Sequence, residues 1–332
     1  MAENNKLKIL YLLDFMRKTD EHHPLNSTQL AQKLQQYGIT ADRKTIGRDI
    51  RCLEDAGYEL IKCENHNDGW YMVGQTFEDY ELKMLADTVA AAKFLTLKDS
   101  RELIKKIKNL ATKDGERIID ATMVLDDTLK LTDKEFKYKF DTIMRAITEH
   151  KQIRFQYEDI VQGNKRKARK GGKVYQVSPY CLALWGAEYF VVANMWPFDN
   201  AIHFRVEMMA NLEAMDEAAR PMSEIENLKD IGKKGRTFSD YIRETVHLWS
   251  GDMRTIQISG INHIRQDIIR KFGNNLMFMD QPDNRFSVYL KVAEGKGFYQ
   301  WAAKFGANMK IEGPKQIVDE YKRYLKETLK QY

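Results

Sequence analysis

The first apolar pattern along the chain has the period of a helix. Ile9, Leu12, Leu13 and Met16 recur at helical spacing and predict an amphipathic helix at the start. Asn26 followed three residues later by Gln29 has the form of a capping box. Leu30, Ala31 and Leu34 continue the helix it opens, and Gly38 stops it. A third helix is predicted from Asp42, a good N-cap, to Ala56, with Gly57 ending it. Its apolar face is Ile46, Ile50 and Leu53, while Lys44, Arg48, Arg51 and Asp55 share another stripe. Tyr58–Cys63 and Trp70–Val73, joined by the polar turn Glu64–Gly69, read as a β-hairpin.

Phe77 to Leu110 keeps a helical pattern, and Lys113–Asp133 reads as a polar linker with Gly115 as a breaker. A helix over Lys134–His150 leads into Ile153, Phe155 and Tyr157, which alternate with Arg154 and Gln156 as a strand does. A basic loop containing Gly163, Gly171 and Gly172 precedes strands at Lys173–Val177, Tyr180–Trp185, Glu188–Met195 and Ile202–Val206. Short strands with tight turns predict a small barrel or sandwich. Pro221–Arg236 is a charged connection. Strands then follow at Glu244–Trp249, Thr255–Ser259, Leu276–Met279 and Phe286–Val292, with helices at Ile261–Phe272, Phe298–Phe305 and Gly313–Tyr332. There is no internal repeat. The expected class is α+β: a helical N-terminal module, a β-rich middle and an α+β tail.

At 332 residues the chain is long enough for two or three domains, at about 150 residues each. Its 43% hydrophobic and 30% charged content excludes a disordered or collagen-like chain. The longest nearly apolar stretch, Tyr189–Phe198, falls short of the about 20 residues a membrane helix needs. Lys6 and Lys8 precede an amphipathic helix broken by Asp14 and lacking a small-residue cleavage site, so no signal peptide is expected. Cys52, Cys63 and Cys181 are odd in number and widely spaced, which suits reduced thiols and a cytoplasmic location. Net charge is 53 − 48 = +5, too small to define a partner, but its distribution is uneven. Lys165, Arg166, Lys167, Arg169, Lys170 and Lys173 lie between Val161 and Gln176 with no acid among them.

No His-Glu-x-x-His, Gly-x-Ser-x-Gly or Walker sequence occurs, and Gly295-x-Gly297 lacks a third glycine at Gln300. The chain is therefore read as a non-enzyme, with no cofactor and no metal. His22-His23 reads as a solvated turn. A capped helix, a short turn and a second helix with a basic outer stripe is what a DNA reader needs, the second helix entering the major groove by its N-terminal residues. Those residues are Arg43, Lys44, Thr45 and Arg48, suited to guanine, phosphate or thymine-methyl contacts, with the hairpin as a wing. A solvated helix face is the alternative, since residues 1–74 sum to 10 basic and 11 acidic side chains.

The stretch Asp42-Arg43-Lys44-Thr45-Ile46-Gly47-Arg48-Asp49-Ile50, with Leu53, Gly57 and Gly69-Trp70-Tyr71, resembles the winged helix–turn–helix of bacterial WYL-domain transcription regulators. Val177-Ser178-Pro179-Tyr180 and Ile202-His203-Phe204-Arg205-Val206-Glu207 resemble two signature strands of the WYL domain. Trp301-Ala302-Ala303-Lys304-Phe305-Gly306 and Pro314 resemble the family's C-terminal extension. Three positions depart: Glu188-Tyr189-Phe190 replaces Trp-Tyr-Leu, Gly47 stands where an aromatic is common, and Met208 where a basic residue is. The resemblance implies a winged helix–turn–helix over residues 1–74, a helical linker over 75–138, a small Sm-like β-barrel WYL domain over 139–220, and an α+β extension for dimerisation over 237–332.

In the middle domain, Tyr157, Ser178, Tyr180, Tyr189, His203 and Arg205 fall on successive strands, and His203 and Arg205 share a face. Either they form an ordinary polar face, or they line a cationic, aromatic pocket for an anionic ligand such as a nucleotide or nucleic-acid fragment. The expected function is a ligand-responsive regulator. Its expected partners are double-stranded DNA, an anionic small molecule or single-stranded nucleic acid as effector, and a second copy of the chain, with no membrane. The alternative is an RNA- or single-strand-binding protein with an N-terminal interaction module.

Overall fold

Three local signals shape the first helices as expected. The computed structural model describes residues 2–64, 69–126, 130, 134–162, 165–245 and 251–332, with side chains from residue 6 onward. The chain divides into two units, Met1–Asp133 and Lys134–Tyr332. In the first, α1 (Ala2–Met16), α2 (Ser27–Gln36) and α3 (Arg43–Asp55) precede an antiparallel pair, β1 (Glu59–Lys62) and β2 (Trp70–Val73). The Asn26 carboxamide accepts the Gln29 amide at 3.0 Å while Gln29 accepts the Asn26 amide at 2.9 Å. Asp42 accepts the Thr45 amide at 2.7 Å. These caps satisfy helix-end donors that otherwise lack partners. Leu12, Met16, Leu30, Leu34, Ile46, Ile50, Leu53 and Met72 form the core between the helices and the hairpin. Trp70 exchanges both backbone bonds with Leu25 at 2.9 Å, tying β2 to the segment before α2. Most of the expected hairpin turn, residues 65–68, lies outside the described residues.

The helical stretch after the hairpin is two helices, α4 (Asp79–Ala91) and α5 (Leu97–Lys108), because the Thr96 hydroxyl accepts the Asp99 amide and starts a new helix. The expected linker contains α6 (Lys113–Thr122), so Gly115 is no breaker. The Asp79 carboxylate accepts the Thr112 amide at 3.0 Å and hydroxyl at 2.5 Å. A Cβ at position 115 would lie 2.1 Å from Asp79 Oδ1. Glycine there permits a close approach. The rest of that expected linker falls partly on residues 127–129 and 131–133, outside the described residues.

The second unit opens with α7 (Phe136–Thr148) and β3 (Lys151–Val161), β4 (Lys165–Ala168), β5 (Val174–Trp185), β6 (Glu188–Asn194), β7 (Ala201–Arg205) and β8 (Met209–Ala218). Two expected strands, Lys173–Val177 and Tyr180–Trp185, are one. The first part of β5 pairs with β3 and the second with β6, and its register shifts between Pro179 and Cys181. The expected basic loop holds β4, paired with β3. β8, which the sequence reading lacked, pairs with β3. A 3-10 turn at Val206–Met208 carries the chain from β7 to β8, and no described pairing joins those two strands. The sheet is open, not the closed Sm-like barrel expected. Phe155, Tyr157, Tyr175 and Phe204 form one aromatic layer with ring centroids 5.1–6.3 Å apart.

The charged connection after β8 is packed, not free. Ile225 and Leu228 are fully buried with Tyr241 of α8 (Phe238–Glu244), and Asn227 clamps the Ala201 backbone at 2.8 and 3.1 Å. Of the expected strand Glu244–Trp249, Glu244 ends α8 and residues 246–250 lie outside the described residues. The tail is β9 (Met253–Ile261), α9 (Arg265–Phe272), β10 (Met279–Gln281), β11 (Arg285–Ala293), α10 (Lys296–Ala303), β12 (Met309–Gly313) and α11 (Lys315–Leu329). Its antiparallel sheet has the order β10-β11-β9-β12, the split β-α-β arrangement of ferredoxin-like units. Among the described residues no helix is long and apolar enough to cross a membrane.

Candidate nucleic-acid interface and ligand cleft

The caps and core of the first unit decide what α3 presents. Ile46, Ile50 and Leu53 are buried, so helical geometry turns the opposite side outward. Arg43, Lys44, Arg48 and Arg51 are exposed, and none is ion-paired with a described carboxylate. Asp49, the one acid between Arg43 and Arg51, is drawn inward by the buried Lys8 ammonium at 2.8 Å. With Asp49 turned inward, Arg43, Lys44, Arg48 and Arg51 dominate the outer face, and the exposed Asp55 stands at its far end; the Lys8–Asp49 contact is a feature that the sequence reading missed. Thr45 differs from its neighbours: it is half-buried, and its amide holds the Asp42 carboxyl below the usual carboxylate range.

The six residues expected to line one pocket are distributed over separate surroundings. Tyr157 is buried in the aromatic layer, and its hydroxyl accepts the Arg205 amide at 3.1 Å. Tyr189 packs against Phe136 and Phe140 of α7 at 6.3 and 4.8 Å. His203 and Arg205 lie on one strand face as expected, but His203 meets the Tyr241 ring at 5.6 Å. Arg205 lies between the Glu188 carboxylate, at 2.6 Å, and that of Glu207. Its charge is already balanced.

Ser178 and Tyr180 do converge, and they do so on Arg220. The Ser178 hydroxyl accepts the Arg220 amide and the Tyr180 hydroxyl donates to the Arg220 carbonyl, both at 2.9 Å. Burial pushes the Tyr180 phenol up to about 12, so it remains a donor at neutral pH. Arg220 pairs with Glu224 at 3.1 Å and stacks 5.3 Å from the Trp196 ring centroid. A cleft of about 500 Å³ opens beside Ser178, Trp196 and Arg220, lined also by Gln152, Gln176, Asn194 and Glu224. Trp196 is 76% exposed. The sequence reading lacked Arg220 and Trp196. An aromatic run, Trp196-Pro197-Phe198, between two strands was the available signal; nothing in the sequence pointed to Arg220.

Among the described residues, Asp20, His23 and Asp114 bring one possible metal-ligand atom each within 4.8 Å of the others. Asp20 Oδ1 accepts the amides of His22 and His23 and lies 2.9 Å from His23 Nδ1. A polar turn joins Asp20 and His23, with His22 exposed and His23 half-buried, and Asp114 of α6 approaches His23 Nδ1 at 3.6 Å.

Residues 138–214, from α7 into β8, match the WYL domain family model. The chain carries a WYL domain. Ser178, Tyr180, His203 and Arg205 all lie inside the matched WYL region, whereas Arg220 lies just beyond it. Among solved structures, the chain is similar to proteasome accessory factor B/C (PafBC) of Arthrobacter aurescens. Identity is 15%, coverage is 99% of this chain and 49% of that one, and the TM-score is 0.30. It thus spans about half the length of that protein. It is also similar to a structure described as a CRISPR Cas-related protein, with 13% identity, coverage of 99% and 83%, and a TM-score of 0.34. Neither likeness is close enough to carry an activity across. No curated protein matches the chain.

Proposed function

We propose that this chain is a DNA-binding transcription regulator in which the WYL domain senses an anionic ligand. The observation that carries the reading is α3: four exposed cations on a capped helix, with Asp49, the one acid between Arg43 and Arg51, turned inward. Exposed cations clustered on one helix are the footprint of a surface that binds phosphates. The helix follows α2 across a short turn, and the β1–β2 hairpin follows it, the order of a winged helix–turn–helix. Arg43, Lys44 and Arg48 would meet base edges or phosphates, and Thr45 would contribute its methyl or hydroxyl at most. The effector would enter the cleft at Arg220, where guanidinium and hydroxyl groups suit a phosphate and the exposed Trp196 ring suits a base. To regulate, it must bind one arrangement of the protein better than another. The regulator would act as a homodimer on paired half-sites.

Selection of bound duplexes from a random pool, followed by titration of Arg48→Ala, tests this. Arg48→Ala should weaken binding to a selected site by about 1–3 kcal/mol and affect random duplex less. Half-sites repeated about one helical turn apart should emerge, as a dimer requires. Equal loss on both duplexes would reduce Arg48 to a phosphate contact. Unchanged binding by the folded variant would remove α3 from the interface. A preference for single strands over duplex would favour a single-strand-binding protein instead.

A further inference from the structure

The β3–β4 hairpin sorts its cations into two sets. The Arg169 Nε donates to both oxygens of Asp159 at 3.0–3.1 Å. Arg166 lies 3.6 Å from the Glu158 carboxylate and donates to the Glu207 carbonyl. The hairpin's two acids are thereby occupied. Lys165, Lys167, Lys170 and Lys173 are all exposed, and none is ion-paired with a described carboxylate. Lys165 and Lys167 stand on β4, Lys170 in the 3-10 turn that follows it, and Lys173 just before β5. Lys165 and Lys167 alternate with Arg166 along β4, opposite Val161 and Asp159. The chain then turns through Lys170, Gly171 and Gly172, all at positive φ, and Gln156 Nε2 fastens the turn to the Gly172 carbonyl at 2.8 Å. Fixing four like charges together is unfavourable unless a counter-charge relieves them.

We propose that this hairpin is a second contact to duplex DNA, its four lysines binding the phosphate backbone without reading sequence; this rests on the duplex-binding reading of α3. Duplex is favoured over single strand by the neighbouring rings. Tyr157 and Tyr175 are buried and covered by Arg169 and Lys173, whose cationic groups lie 5.0 and 5.5 Å from their centroids. No ring of the hairpin is offered to an unstacked base, so what it presents matches a duplex edge, where only phosphates are within reach.

The test is the salt dependence of binding to a random 30-base-pair duplex and to a single strand of equal length. The full chain is compared with a quadruple Lys→Gln variant at 165, 167, 170 and 173. A matched control carries Lys→Gln at 315, 322, 326 and 330, exposed positions on or beside α11, and loses the same charge. Thermal melting verifies that both are folded. The hairpin variant should lower the slope of log affinity against log salt by about 3 to 4, near 0.9 per lost phosphate contact. The control should lower it by less than about 1. Equal slopes in the hairpin variant and the wild type, or equal losses in both variants, would overturn the hairpin contact and leave α3 standing. A loss confined to the single strand would overturn the choice of duplex. Failure of the wild-type chain to bind duplex at all would overturn the α3 reading together with this one.

Discussion

On α3, Arg43, Lys44, Arg48 and Arg51 face solvent while Lys8 holds Asp49, the acid between them, inward; on the WYL sheet, Arg205 is held between Glu188 and Glu207. Each segment offers arginine to a ligand, and the neighbours of those arginines differ. A cation whose partners are all outside the molecule is available to a polyanion at little desolvation cost. A cation already shared by two carboxylates must give them up first, so an anion gains less there. Arg220 falls between the two: it has one carboxylate partner, the half-exposed Glu224, against two for Arg205, but its guanidinium also donates to the Phe198 and Glu224 carbonyls.

The largest expected effect lies beneath the paired cation. The sheet is ordered by its aromatic layer rather than by the ion pairs on its other side, and Phe155 is almost fully buried at the centre of that layer. Phe155→Ala should therefore destabilise the second unit by about 3–5 kcal/mol, read by urea denaturation with tryptophan fluorescence. A loss below about 1 kcal/mol would mean that the layer does not carry the sheet.

A smaller effect separates the two kinds of cation directly. The Arg205 side chain is 34% exposed, so its two ion pairs are partly screened and Arg205→Ala should lower stability by only about 1 kcal/mol. Duplex affinity should stay at the wild-type level. Arg48→Ala should do the reverse, with melting unchanged and binding weakened. If Arg205→Ala instead leaves stability untouched and abolishes binding of a nucleotide measured by calorimetry, the paired arginine is the ligand's cation after all.

What was legible in the sequence follows from how far each cause reaches along the chain. The caps at Asn26 and Asp42 act over three residues, and helical periodicity acts over one turn, so α1 to α3 and their exposed face could be read locally. The strand faces could not. Alternation placed His203 beside Arg205, but Glu188 lies 17 residues from Arg205 and Ser178 lies 42 from Arg220, and strand pairing alone brings them together. The exchange of partners along β5 and the recruitment of β8 by β3 are likewise long-range events. Gly115 misled the reading because a glycine required by an approaching carboxylate looks the same in sequence as one that ends a helix.

The smallest expected effect concerns a residue of α3 that runs against helix preference. Gly47 lies in the interior of α3, where glycine is less favourable than alanine by about 1 kcal/mol. A Cβ there would meet nothing within 4 Å, so no contact within the protein demands glycine. The position is three residues after Lys44 and four before Arg51, on the side of the helix that those cations share. A bare backbone at that point lets a partner come closer than any side chain would. Gly47→Ala should then raise the melting temperature, by an amount equivalent to about 0.5–1 kcal/mol, and weaken binding to a selected duplex by roughly 1 kcal/mol. Calorimetric melting and fluorescence anisotropy on the same preparation would check both. A variant that gains stability and keeps full affinity would show that no partner approaches the backbone at Gly47, and would move the contact toward Arg43 and Lys44 at the start of the helix.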